Sequence, residues 1–338
     1  MRPWPTFSTR RRDRTALLLL AGLALATAAL SLSIGSVPLS PAQVLGALTG
    51  RLTGTVPAQI VRYVRLPRTL ACLAAGAALA TSGAVIQGVL ANPLAAPNII
   101  GVNSGAGLAA ALCCALLPSM PALVPVLSFL GALAGVLLVL LLAQRTGAAR
   151  ITLVLAGVAV SSMFGAGIDA VLTFVPEALN GYSDFRIGSL ANVSLDRVLP
   201  AGGLILAALA AVLWFAKEMD LLLLGADTAQ SLGLPVKRIR LTLLTLAAAL
   251  AGAAVSFAGL LGFVGLLVPH MMRRLAGEDS RTLLLASALG GAALLTGCDL
   301  LARVLFAPYE LPVGIVLSLL GGPFFLWLLL GQRRGRTP

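Results

Sequence analysis

Charge is what this sequence has least of. Only 11% of its 338 residues are Asp, Glu, Lys or Arg, less than half of the roughly 25% found in soluble domains. Histidine occurs once, at His270, which removes a multi-histidine metal centre and leaves little for a Ser-His-Asp triad. Beside Pro269 it reads as a structural residue at a helix bend. The four cysteines, Cys72, Cys113, Cys114 and Cys298, all lie in apolar runs without Cys-x-x-Cys spacing, so they read as small core hydrophobes. Neither lysine, Lys217 or Lys237, follows a glycine, so the chain has no GxxxxGK[ST] phosphate loop with which to bind ATP. The glycine-rich stretch 101–107, GVNSGAG, sits in an apolar helix with no strand before it, which excludes a dinucleotide fingerprint.

What the chain has is apolar length. Hydrophobic residues make up 59% of it and the mean hydropathy is +0.99. Crossing a hydrocarbon core of about 30 Å takes about 20 apolar residues as a helix, so the length accommodates about ten crossings and no soluble domain. The apolar runs are unbroken, whereas barrel strands alternate apolar and polar residues. The expected class is therefore an all-α polytopic membrane protein, one domain over 1–338. Its helices are expected near 15–35, 67–90, 98–117, 122–143, 151–175, 198–216, 239–258, 263–276, 281–303 and 312–331. The eighth is short for a full crossing and contains Pro269, so a bent or protein-buried helix is expected there. The start, TRRRDRTALLLLAGLALATAA, mimics a basic-then-apolar export signal. With nine more candidate spans behind it, an uncleaved first helix is the expectation.

With the N-terminus inside, seventeen of the 24 basic residues fall on inside segments and seven outside, Arg51, Arg62, Arg65, Arg68, Arg186, Arg197 and Arg303. This bias puts both termini in the cytoplasm, with basic tails at 1–14 and 332–338. Four of the seven outside cations crowd between residues 51 and 68. Arginines at helix ends can snorkel to headgroups, but a cluster at one mouth also fits a surface for an acidic partner.

Residues 75–93, AGAALATSGAVIQGVLANP, align without gaps on 251–269, AGAAVSFAGLLGFVGLLVP, an echo that supports an inverted repeat of the kind found in transporters. Small-xxx-small pairs such as Gly101 with Gly105 and Gly131 with Gly135 predict close helix contacts.

Two acids fall inside spans. Asp299 has Arg303 four residues on, on the same helix face, and reads as a structural ion pair that fixes Arg303 at the outer surface. Asp169 has no local partner; a proton relay, a pathway residue and a position near the outer interface stay open. With Gln87, Asn103, Ser161 and Ser162 it makes the set of candidate pathway residues. The inside loop 217–238 holds a stretch too short to span, started by Asp227 or Thr228 and ended by Gly233, suited to passing force from a soluble partner.

Four ordered motifs, RLPRTLACLAAGAALATSGAVIQGVLANPLAAPNIIGVNSGAG at 65–107, GADTAQSLGLPVKRIR at 225–240, GFVGLLVPHMMRRL at 262–275 and DLLARVLFAPYELPVGIVLSLLGGPFFLWLLL at 299–330, resemble the FecCD-type permeases. These are the membrane subunits of type II ABC importers for ferric siderophores, haem and vitamin B12. The resemblance covers nearly the whole chain. It implies a multi-pass plasma-membrane (inner-membrane) subunit of a bacterium that pairs with a second permease, as homodimer or heterodimer, and performs no bond chemistry. Two cytoplasmic ATPases would hold the ATP and Mg, this chain holding no cofactor. A periplasmic or lipoprotein binding protein would deliver cargo from above, and no nucleic acid takes part.

The same resemblance assigns binding-protein docking to Arg65, Arg68 and Arg303. It places the ATPase-coupling segment on Gly225, Ala226, Asp227, Gln230, Ser231, Leu232, Gly233 and Leu234. The motif does not extend to Arg62. Where many members carry a tryptophan, the stretch DFRIGSLANVS at 184–194 has Phe185 and Arg186, and motifs mark the cargo path weakly. An iron chelate is expected, with a corrinoid as the alternative and a proton-coupled secondary transporter using Asp169 as the remote one.

Overall fold

The computed structural model describes residues 7–35, 37–145 and 150–333. Every regular element among them is helical. In chain order these are α1 (Phe7–Ser33), α2 (Pro41–Leu48), α3 (Val56–Ile60), a π-helical turn (Val61–Arg65) leading into α4 (Leu66–Leu90), α5 (Val102–Leu116) and α6 (Val124–Arg145). There follow α7 (Arg150–Phe174), α8 (Ala178–Ile187), α9 (Leu195–Trp214), α10 (Ala216–Leu223), α11 (Ala226–Ser231), α12 (Val236–Ala258), α13 (Val264–Ala276), α14 (Ser280–Val304) and α15 (Val313–Arg333).

All ten expected helices are present, as α1, α4–α7, α9 and α12–α15. Seven of them lie in stretches long and apolar enough to cross a membrane. The basic N-terminal stretch is not a tail throughout, because α1 already starts at Phe7; residues 1–6 and 334–338 of the two expected tails lie outside the described residues. Short helices fill the connections. Ser40 caps α2 through a reciprocal capping box, its hydroxyl accepting from the Gln43 amide while its own amide donates to the Gln43 side chain.

Helix α4 is the hub. It is buried along nearly its whole length and packs on α14, α12, α13 and α9. Arg68 meets Asp299 and Gly76 meets Gly291, so α4 and α14 run in opposite senses. Ser31 meets Arg303 while Ala24 clusters with Ala292, so α1 and α14 run in the same sense. Both relations agree with ten alternating crossings.

Glycine makes these approaches close. A methyl on Gly76 would overlap the Gly291 carbonyl, and one on Gly83 the Gly265 carbonyl. The sequence pairs Gly101/Gly105 and Gly131/Gly135 turn out to face each other between α5 and α6, where a side chain on Gly105, Gly131 or Gly135 would strike the opposing backbone. Lipid supplies no hydrophobic drive between helices, so this backbone proximity and the packing it allows hold the bundle.

The internal echo is not matched in secondary structure. Its first copy is continuous helix through Gly83 to Leu90, whereas the second breaks after Ala258, with Gly259 at φ +74 and Phe263 at φ +64 before α13 begins. The break stays inside protein: the Leu260 amide donates to the Phe185 carbonyl at 2.8 Å, meeting the rule that irregular backbone at membrane depth must be satisfied by protein. The 13-residue α13 spans about 20 Å at 1.5 Å per residue, short of the roughly 30 Å core, so the helix by itself does not complete the eighth crossing. As expected for the eighth helix, it is held against α4 and α14.

Candidate functional site

At the end of the bundle where α1 finishes and α4 starts, three arginines converge. Arg68 donates from Nε to both carboxylate oxygens of Asp299, each at 3.0 Å, and from a terminal nitrogen to Glu310 at 2.6 Å. Arg303 bonds the other side of Asp299 at 3.0 Å and the Ser31 hydroxyl at 2.6 Å; that hydroxyl shares a 2.8 Å hydrogen bond with Thr69. Arg65 donates to the Leu32 and Ser33 carbonyls, at 2.8 and 2.7 Å, and to Val37. The first two belong to the last turn of α1, whose carbonyls lack intrahelical partners. Gly35 lies against the same guanidinium, where a side chain would crowd it.

The expected Asp299–Arg303 pair is therefore present, but two expectations change. Asp299 serves Arg68 as well, across helices, and Arg303 is not held at the outer surface. Arg65, Arg68 and Arg303 are 3%, 4% and 4% exposed and Asp299 is 0% exposed. The reason is cost: a buried carboxylate needs its lone pairs filled, and two guanidiniums from α4 and α14 fill them. The docking arginines of the sequence expectation are thus turned inward and occupied within the subunit. Glu310, with its side chain 32% exposed, is the outer member of the network, while Arg51 and Arg62 stay exposed nearby. Ser31 and Glu310 went unnoticed in the sequence. An excess of arginine over acid at one mouth was the signal available.

At the opposite end, α11 stands exposed between α10 and α12. Asp227, Gln230, Ser231 and Leu232 face outward and Ala229 inward. The segment does not start at a side-chain cap: Gly225, at φ +105, is the N-cap, and Asp227 lies in the first turn. Its end is as expected, with Gly233 at φ +83 and the Leu234 amide closing back on the Ala229 carbonyl. The loop 217–238 also holds α10, unexpected from sequence, whose Met219 packs on Gly88 of α4 and whose Asp220 accepts from the Ser280 amide at the start of α14.

The candidate pathway residues divide. Ser161 on α7 hydrogen-bonds Ser104 on α5 at 3.2 Å, and Asn103 lies one position away with its Oδ1 buried and without a hydrogen-bond partner. Ser162 and Asp169 are exposed along α7. Gln87 does not join them: it is buried in the seam of α4 and α13, donating to the Gly265 and Leu266 carbonyls and accepting from Arg273. A glutamine there satisfies carbonyls of the first turn of α13. His270 meets Phe324 edge-on, with centroids 6.2 Å apart, and the four cysteines are free, three of them buried. Among the described residues no group of three or more metal-ligating side chains occurs.

A family model described as the FecCD transport family matches residues 23–331. The hemin transport system permease HmuU of Yersinia pestis is 42% identical over 81% of this chain and 84% of its own length. The Fe(3+) dicitrate transport permease FecD of Escherichia coli is 40% identical over 95% and 100%. The vitamin B12 import permease BtuC of Vibrio cholerae is 37% identical over 92% of each. A solved structure described as an inward-facing conformation of a metal-chelate type ABC transporter matches with a TM-score of 0.84 at 29% identity, covering 94% of this chain and 99% of that one.

Proposed function

Because this chain belongs to the FecCD transport family, we propose that it is the permease subunit of an ATP-binding-cassette importer whose cargo is an iron chelate, a ferric siderophore or haem. The observation that carries the reading is the full-length likeness to permeases named for hemin and ferric citrate. It works with a second permease copy or relative, two cytoplasmic ATPases that hold the ATP and Mg, and a substrate-binding protein outside. Both termini face the cytoplasm, supported by the seventeen-to-seven distribution of basic residues.

The mechanism follows from the packing. An ATPase pressing on the exposed face of α11 moves a segment tied to α10 and α12, and α10 bears directly on α4 and α14. Displacement at one end is thereby delivered to the hub helix whose other end carries the arginine network. A rigid hub transmits such a shift because packed helices have discrete arrangements rather than continuous give.

At the outer end, the acidic side chains of a binding protein would meet Arg51, Arg62 and the half-exposed Glu310. Since Glu310 occupies the outward side of Arg68, a partner carboxylate reaches that guanidinium by displacing it. Reversing Arg65, Arg68 and Arg303 to glutamate is then a poor test of docking, because three carboxylates would be buried around Asp299.

The deciding experiment reconstitutes the subunit in vesicles with its ATPase and binding protein and measures uptake of a ferric siderophore, haem and vitamin B12. ATP-dependent accumulation of an iron chelate is expected. Accumulation of B12 alone would favour the corrinoid reading, for which the likeness to BtuC speaks. Concentrative uptake by the isolated chain on a proton gradient would overturn the importer reading.

A further inference from the structure

At the α11 end, a cleft of about 400 Å³ opens where α6 finishes and α7 and α12 begin. Its walls are Leu140, Leu153, Leu241 and Leu244, and its mouth carries Lys237, Arg238 and Arg240. Gln144 and Ala143 complete the lining, so among the described residues no acidic side chain faces it. Lys237 and Arg238 are exposed and Arg240 is half-buried. The three cations sit in the first turns of α12, which holds no acidic residue, at the helix end where a positive side chain is least favoured.

We propose that this cleft binds one anionic phospholipid, its phosphodiester held at the mouth by Lys237, Arg238 and Arg240 and an acyl chain lying along the four leucines. The chemistry of the lining selects that ligand. A small soluble anion would gain nothing from leucine walls, and a zwitterionic lipid would bring no net charge to the exposed Lys237 and Arg238. An amphiphile with net negative charge uses both halves. Within the single subunit α6 and α7 are among the less buried membrane helices, with 39% and 17% of their apolar windows covered by its own chain. A basic pocket between helix ends on this side of a membrane is a recognised kind of headgroup site. The bound lipid would also anchor the start of α12, two residues beyond Leu234.

The test uses the full chain purified in detergent and exposed to mixed micelles of phosphatidylglycerol and phosphatidylcholine, with retained lipid counted by native mass spectrometry. Each cation beside an anionic headgroup contributes roughly fivefold in affinity. Phosphatidylglycerol should therefore be retained over phosphatidylcholine by about tenfold or more, and the preference should weaken with salt. Lys237→Gln with Arg238→Gln and Arg240→Gln should remove the preference. Lys217→Gln with Arg281→Gln, exposed cations outside the cleft, should keep it. If the triple variant is not monodisperse, Arg238→Gln alone should lower the preference several-fold. Equal retention of both lipids by the unaltered chain, an unchanged preference in the cleft variants, or an equal loss in the Lys217/Arg281 variant would overturn the proposal. Displacement of the lipid by millimolar inorganic phosphate would overturn it too, marking a small-anion site. None of these outcomes depends on which cargo the protein carries.

Discussion

The two ends of this bundle spend their positive charge in opposite ways. At the end where α1 finishes, Arg65, Arg68 and Arg303 are buried and each meets oxygens of its own chain. At the other, Lys237 and Arg238 stand exposed around an apolar cleft. The difference teaches what burial does to an ion. A guanidinium removed from water is tolerated only with its partners in place, so the inner network is structural and intolerant of change. An exposed cation has lost little hydration and remains available to a ligand.

The largest effect expected from that contrast is at Asp299. Asp299→Asn leaves Arg68 and Arg303 sharing a neutral amide and should lower stability by about 3–5 kcal/mol, read as a loss of folded protein in a thermal or denaturant titration in detergent. A loss below about 1 kcal/mol, the range of exposed pairs, would break the comparison. Ser31→Ala removes the hydroxyl that accepts from Arg303 at 2.6 Å and should cost about 1.5–3 kcal/mol, as for hydrogen bonds to charged groups. Glu310→Gln acts on a partly solvated member and should change stability by less than about 1 kcal/mol. Its sharper readout is binding-protein affinity, expected to rise as the negative charge that competes for Arg68 is removed. An unchanged affinity would separate Arg68 from docking. The smallest effect belongs to Lys237→Gln with Arg238→Gln, which in detergent free of anionic lipid should stay within about 0.5 kcal/mol of the parent. A larger loss would mean these cations are structural after all.

Much of the fold was legible in the order of residues. Ten apolar runs became ten helices, the short helix carrying Pro269 was recognisable by its length, and Gly233 marked the end of α11 through the φ that other residues avoid. The glycine pairs of α5 and α6 were visible by their four-residue spacing. Less of the site was legible. Asp299 with Arg303 could be read because four residues on a helix share a face, but Arg68 lies 231 residues from Asp299 in sequence, and nothing local links them. Gln87 looked like a pathway residue because it is polar in an apolar run; its neighbours in the seam with α13 show it tied to backbone and to Arg273 instead.

Sequence alone determined the membrane class, the ten apolar helices and the family, because run length against bilayer thickness and ordered motifs are one-dimensional properties. Tertiary structure decided which arginines face inward and which face out. That outcome depends on the antiparallel register of α4 on α14, set by glycines that let two backbones touch, and burial of charge is a property of the assembled interior that no single stretch of chain contains.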